Sequence, residues 1–273
     1  MYKENFKHFS LTEKWLKSKA KFSNWDIFIS NNGNKHLIRR FGSIFALHWF
    51  SYIEKENLKQ AIEATINARE KYFINLCILK LLNLPFIENQ SRKPFLLSHT
   101  KQFKTFIIPS KSSTKSKAEN FLINLKSWDK NSLTKNWRRN LRRSERSLLN
   151  FKYKEVNLEK DIEMVYEIIK RNSILKKYHY PYSKEFLIDF IKKSSKEIIS
   201  LGCYDKNNKL IAIRAFYVFD NIAIDFIAAA LPDSFKDYIT YNIAFNLIMT
   251  AKKMGLEKYN LGGVDFILNK GVY

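Results

Sequence analysis

Glu197-Ile198-Ile199-Ser200-Leu201-Gly202-Cys203-Tyr204, Asp205-Lys206-Asn207-Asn208-Lys209, then Leu210 to Phe219, are two apolar runs joined by a short polar cluster. Asp220-Asn221 and a third apolar run, Ile222 to Ala230, follow directly. β-Branched and aromatic runs separated by Asn- and Asp-rich turns predict an antiparallel three-strand meander. Downstream, a helix is expected from about Ser234 to Lys253, ended by Gly255, followed by a strand at Lys258 to Leu261 that runs into Gly262-Gly263-Val264-Asp265. Upstream, Phe151 to Val156 alternates like a strand. Leu158 to Asn172 repeats at helical spacing, and Ser183 is placed to cap a second helix reaching Lys193. The order is helix, helix, three antiparallel strands, helix, strand.

The next informative stretch lies ahead of this block, at Asn136-Trp137-Arg138-Arg139-Asn140-Leu141-Arg142-Arg143-Ser144-Glu145-Arg146. Leu133, Trp137, Leu141 and Leu148 fall on one stripe of a helix, with Ser132 or Thr134 available as N-cap. Arg139, Arg143 and Arg146 then form one row, and Arg138 with Arg142 another, with Lys135 extending them. A solvated basic face is the bland reading. The local use of Arg in a Lys-rich chain favours forked binding of phosphate or carboxylate instead.

The first half reads as a separate mixed unit. Phe9 to Phe22 suits a short helix with Thr12 at its start, and Trp25 to Ile29 with His36 to Arg40 suits a hairpin about Asn31-Asn32-Gly33-Asn34. A strand at Ile44 to Tyr52, a helix at Glu54 to Arg69 and a strand at Tyr72 to Leu82 follow. Residues 98 to 119 turn polar, and Lys111 to Lys117 reads as a loop. Two domains are therefore expected, 1–130 and 131–273.

At 273 residues, with 45% hydrophobic and 15% aromatic content, the chain is too apolar for a disordered protein. Its 48 basic and 26 acidic residues leave a net charge of +22, which attracts polyanions: nucleic acid, an anionic membrane face or a phosphorylated substrate. Lys, Asn and Ile are abundant throughout, so part of that excess is compositional background. Cys77 and Cys203 read as buried thiols, and the five histidines lack metal-ligand spacing, so no metal is expected. Met1 to Ser10 has no apolar core of a secretory signal, and Arg214, Asp220 and Asp225 interrupt the most apolar tract, Leu210 to Leu231. Asp225 and Asp265 are the ionisable groups near strand ends, where turn or cap roles compete with catalysis. Lys176 to Tyr182, with three tyrosines and His179, suits either aromatic packing or a substrate-contacting loop that includes Tyr180.

The element order of the second half is that of the GNAT acyltransferase fold. Trp137 to Arg143 ahead of a strand, and Ala251-Lys252-Lys253-Met254-Gly255-Leu256-Glu257-Lys258-Tyr259-Asn260-Leu261-Gly262-Gly263-Val264-Asp265 continued by Asn269-Lys270-Gly271, resemble the FemABX family. The resemblance implies an α/β (α+β) protein of tandem GNAT-like domains, the second truncated at its C-terminus. It implies transfer of an aminoacyl group from charged transfer RNA to an amine of a peptidoglycan precursor, in the cytoplasm or at the inner face of the cell membrane. Aminoacyl-tRNA and a phosphorylated cell-envelope precursor are the expected partners, with peripheral contact to anionic membrane. The expected substrate-binding residues are Lys135, Arg138, Arg139, Arg142, Arg143, Tyr180, Asp265 and Lys270, with no catalytic residue assigned. Two alternatives stay open: an N-acyltransferase acting on a surface-polysaccharide or nucleotide-sugar precursor, and an inactive basic RNA- or surface-binding module.

Two departures from the resemblance set further expectations. Leu231-Pro232-Asp233-Ser234-Phe235-Lys236-Asp237 has no glycine where a coenzyme-A-using GNAT cradles the pyrophosphate, and its two acids repel phosphate, so no cofactor is expected. The sequence ends at Tyr273, before the further strands and Phe-Lys pair of the family. Leu261 to Asp265 is accordingly expected beside Ile222 to Ala230, with its other edge unpaired and Val264, Phe266 and Ile267 exposed. Self-association and little transfer activity follow from that expectation.

Overall fold

The structure is a computed structural model, and it describes residues 12–23, 25–29, 35–41, 45–50, 66–68, 71, 76–81, 95–99, 104–109, 118–147, 150–176, 180 and 182–265. The fold is mixed α/β, and the chain divides into two compact units, Met1–Lys117 and Ala118–Tyr273.

In the first unit, helix α1 (Glu13–Phe22) starts where the Thr12 hydroxyl accepts from the Trp15 amide, and it buries Trp15 and Leu16. Strands β1 (Asp26–Ile29), β2 (Lys35–Phe41), β3 (Phe45–Phe50), β4 (Leu76–Leu81), β5 (Phe95–His99) and β6 (Lys104–Pro109) form one sheet in the order β1-β2-β3-β4-β6-β5. The expected hairpin pairs Phe28 with His36, and Phe28, Leu37 and Ile38 enter the core. β3, β4 and β6 run parallel. The segment read as polar from residue 98 thus carries a central strand: Phe106-Ile107-Ile108 supplies it, and the flanking lysines had masked it. Of the helix expected over Glu54 to Arg69, residues 66–68 are helical and the rest lies outside the described residues, as does the Lys111 to Lys117 loop.

The second unit holds β7 (Ala118–Asn124), α2 (Lys135–Arg146), β8 (Lys152–Lys154), α3 (Ile162–Leu175), α4 (Lys184–Lys193), β9 (Ile198–Tyr204), β10 (Leu210–Phe219), β11 (Ile222–Ala230), α5 (Ile239–Lys253) and β12 (Lys258–Asp265). Its sheet order is β7-β12-β11-β10-β9-β8. The meander forms as read. Asp220 and Asn221 both take positive φ, the requirement of the tight turn whose twist matches its strands, and Asn208 does the same in the preceding turn. Gly255, at φ 78°, ends α5. Phe190 of α4 stacks on Tyr217 of β10, while the adjacent Phe216 projects to the opposite face and meets the Tyr259 ring.

Two expectations are corrected here. β7 pairs antiparallel with β12 from Asn124↔Lys258 to Ala118↔Asp265, so the edge expected to be open is occupied. Residues 118–130, expected with the first domain, belong to the second unit for the same reason. Phe266 and Ile267 lie outside the described residues. The helix expected from Ser234 begins only at Ile239, because a 3-10 turn at Pro232–Ser234 and a left-handed Tyr238 (φ 54°) precede it.

Two irregularities position the site. β11 and β12 run parallel and pair through Ile222–Ile224 and Lys258–Asn260, so β11 continues to Ala230 without a partner on that side among the described residues. The β10–β11 register passes from Ala215↔Ile227 to Phe216↔Asp225, leaving Phe226 as an extra residue in β11. Such a bulge re-aims its neighbours.

Candidate functional site

Helix α2 carries the first half of the site. The Thr134 hydroxyl accepts from the Trp137 amide at 3.3 Å, and Leu141, Asn140 and Ser144 are buried. This stripe packs α2 on α5, with Trp137 edge-on to Tyr241 at 5.2 Å. The arginines are left on the other side, lining a groove of about 840 Å³ with Lys135 and Asn136. They are not equivalent. Arg139 donates to Asn136 Oδ1 at 2.6 Å, and Arg143 donates from Nη1 to the Tyr238 hydroxyl at 2.8 Å while lying over that ring. Arg138, Arg142, Arg146 and Lys135 have no hydrogen-bond or ion-pair partner among the described residues. A row of unpaired guanidinium groups in one groove is an anion-binding surface.

The second half is a cavity of about 460 Å³. Its floor is Ala212 of β10 with Ala228 and Ala230 of β11, beyond the point where β11 leaves β12. Trp137, Phe235 and Tyr241 form aromatic walls, and two cations, Lys176 and Arg214, reach it. Asn172 fixes one side by donating to the Ala230 carbonyl at 2.8 Å. Arg214 is held by Asp225 through Nε at 3.1 Å and through Nη2, and the Tyr259 hydroxyl donates to Asp225 Oδ1 at 2.7 Å. Burial works against the Arg214 charge, but Asp225 and then Tyr259 outweigh it and hold its pKa above the ordinary value. Burial, then the Asp225 charge, pushes the Tyr259 hydroxyl well up. Lys176 is an exposed residue, yet its ammonium lies 5.8 Å from the Phe235 ring centre; burial and then the Arg214 charge lower its pKa.

Of the residues expected from sequence, Lys135, Arg138, Arg139, Arg142 and Arg143 come together in the groove. Tyr180 lies apart from it, in an aromatic ladder that continues through Tyr182, Phe186 and Phe190. Asp265 ends β12, its backbone paired with Ala118, and Lys270 is outside the described residues. Asp225, expected near a strand end with turn or cap roles competing with catalysis, is instead in mid-strand and ion-paired. Sequence reading missed Arg214 and Tyr259 as site residues, and it named Lys176 only as the first residue of the loop that runs to Tyr182. The signal for the first was present, since Arg214 and Asp225 are the two charges inside adjoining apolar strands and a buried charge requires a partner.

The start of α5 does not fit the pyrophosphate of coenzyme A. The Asp237 carboxylate stands there, accepting from the Ser147 hydroxyl at 2.9 Å, and the backbone turns at Tyr238 rather than at a glycine. Among the described residues no group of His, Cys, Asp and Glu could hold a metal ion, and no helix is long and apolar enough to cross a membrane. Cys203 is buried, which pushes its thiol up to about 12; the Cys77 side chain is outside the described residues.

No protein-family model and no curated protein matches the sequence. Solved structures do match in fold. FemX aligns at a TM-score of 0.66 and 9% identity, covering 94% of this chain and 84% of that one. The C-terminal domain of a lysylphosphatidylglycerol synthetase candidate from Agrobacterium fabrum aligns at 0.56 and 12% identity, covering 92% and 74%. L-PGS from Bacillus licheniformis aligns at 0.55 and 9%, covering 91% and 71%. The chain therefore shares its fold with FemX.

Proposed function

We propose that the protein is an acyltransferase that moves an aminoacyl group from charged transfer RNA to an amine of a phosphorylated cell-envelope precursor. The observation that carries this reading is the sharing of α2 by two cavities: Trp137 lines the alanine-floored cavity, and the arginines line the groove. A substrate with phosphates beside an apolar part that carries its reacting end needs both, side by side. In the reaction, the neutral amine attacks the ester carbonyl, a C–N bond forms, the ester C–O bond breaks, and the amine proton leaves as the ribose hydroxyl is released. Enclosure beside the end of β11 that leaves β12 would supply positioning. Lys135, Arg138, Arg142 and Arg146 would hold phosphates, with Arg139 and Arg143 shaping the groove. The net charge of +22 suits both substrates and supports a cytoplasmic placement against the anionic inner face of the membrane.

Incubation of the protein with transfer RNA charged with single amino acids and with candidate amine-bearing precursors tests this. A precursor gaining the mass of one aminoacyl residue is the expected result. Failure with every donor and acceptor, in a protein shown to be folded, would remove the proposal.

A further inference from the structure

We propose that the alanine-floored cavity is a recognition site for a single carboxylate carried on an apolar body, held between Lys176 and Arg214. It deepens the reading above, which uses the same cavity, but acid binding is measured without donor or acceptor, so the two can fail separately.

Lys176 and Arg214 converge on one cavity whose other walls are alanine, isoleucine, tryptophan, phenylalanine, tyrosine and threonine, with no acid among them. Two cations facing one apolar space repel each other, and here the cost falls on Lys176, which burial and the Arg214 charge disfavour in its ammonium form. No carboxylate pairs with Lys176 among the described residues; its recorded neighbour is the face of Phe235. An entering anion removes that repulsion.

The ligand's charge follows from the next layer. Asp225 already neutralises Arg214, taking two of the five N–H donors of the guanidinium; Tyr259 engages the same group, and donors remain for a ligand. The net charge at the cavity is then that of Lys176 alone, which one monoanion balances. A phosphate diester chain or a diphosphate is better served by the arginine groove, where four cationic side chains stand unpaired. The body follows from the walls: a floor of small side chains and the Trp137, Phe235 and Tyr241 rings suit an aliphatic or aromatic group, and about 460 Å³ admits a small organic acid.

The test is calorimetric titration of the full chain with 3-phenylpropanoate, its amide 3-phenylpropanamide, and inorganic phosphate. The acid should bind more tightly than the amide by a factor of about ten or more, the size of one charge-assisted contact. Lys176→Gln should abolish that preference and Lys176→Arg should keep it. Because Lys176 follows the end of α3 and is exposed, both variants should melt like the parent. Arg138→Gln with Arg142→Gln, in the groove, should leave the preference intact. Equal affinity for acid and amide, binding of neither, a preference that survives Lys176→Gln, or phosphate competing as well as the acid would each overturn the assignment.

Discussion

Arg214 and Asp225 meet fork to fork between β10 and β11, and Tyr259 closes the group by donating to Asp225 from β12. Three central strands are joined by one charged cluster, in which the Arg214 and Asp225 side chains are 19% and 9% exposed. Its geometry depends on the extra residue at Phe226, which sets Asp225 within reach of Arg214.

Removing one partner of such a pair strands the other. Asp225→Ala should therefore cost about 3–5 kcal/mol in urea unfolding, whereas replacing both charges with apolar residues of similar size should cost much less. A small loss for Asp225→Ala alone would mean that water already reaches the cluster.

The arginine helix divides by partner, and its variants should divide the same way. Arg138→Gln with Arg142→Gln removes two unpaired cations and should weaken binding of RNA or a phosphorylated precursor by about 1.5–3 kcal/mol per contact. The salt dependence should flatten in parallel while the melting temperature stays put. Arg143→Gln should lower binding and melting temperature together, because Arg143 also holds Tyr238 at the start of α5. Equal melting shifts for all the variants would refute the division.

What was legible in the sequence was local. The Asp220-Asn221 turn, the Thr134 and Ser183 caps and Gly255 each announce themselves within a few residues, because capping and positive φ are short-range demands. The placement of β7 was not legible, since Ala118 to Asn124 finds its partner in β12, across the whole second unit, and nothing local in either strand names the other. β6 was lost because its three apolar residues are short and framed by lysines. In the site, the arginine rows could be seen from spacing, but which arginines are engaged depends on Tyr238 and Asn136 rather than on the helix. The Arg214 cluster required a bulge that periodicity cannot reveal.

Two glycines should respond to added methyl groups for opposite reasons. A Cβ on Gly202 would sit 2.5 Å from Val156 Cγ2 and 2.6 Å from Leu210 Cδ1, so Gly202→Ala overpacks the core between β8 and β10 and should cost about 1–3 kcal/mol. At Gly255 nothing lies within 4 Å, and the penalty is purely that of φ 78°. Gly255→Ala should then lose about 1 kcal/mol, and Gly255→Asn should recover part of it, since Asn tolerates that backbone better. Denaturant midpoints of the three variants decide it; a Gly255→Asn protein less stable than Gly255→Ala would count against the backbone explanation.

Alkaline pH should expose the buried thiol of β9. Burial is the main cause that holds the Cys203 thiol up to about 12 in the folded chain, against 9.0 for the free group, with the nearby Tyr153 hydroxyl acting in the opposite sense. Between those values the unfolded chain has released its proton while the folded chain keeps it, so the folded state binds more protons and stability falls as pH rises. The contribution is complete below about pH 9 and is lost progressively toward about 12. Tyr259 and Tyr153, both raised chiefly by burial, add to the decline once their free value of 10.0 is passed. Urea midpoints measured at successive pH values from neutral upward should therefore start to drop near pH 9. Cys203→Ala should flatten the first part of that drop and leave the later part, which belongs to the tyrosines. A parent and a Cys203→Ala variant with the same pH profile would show that the thiol is open to solvent.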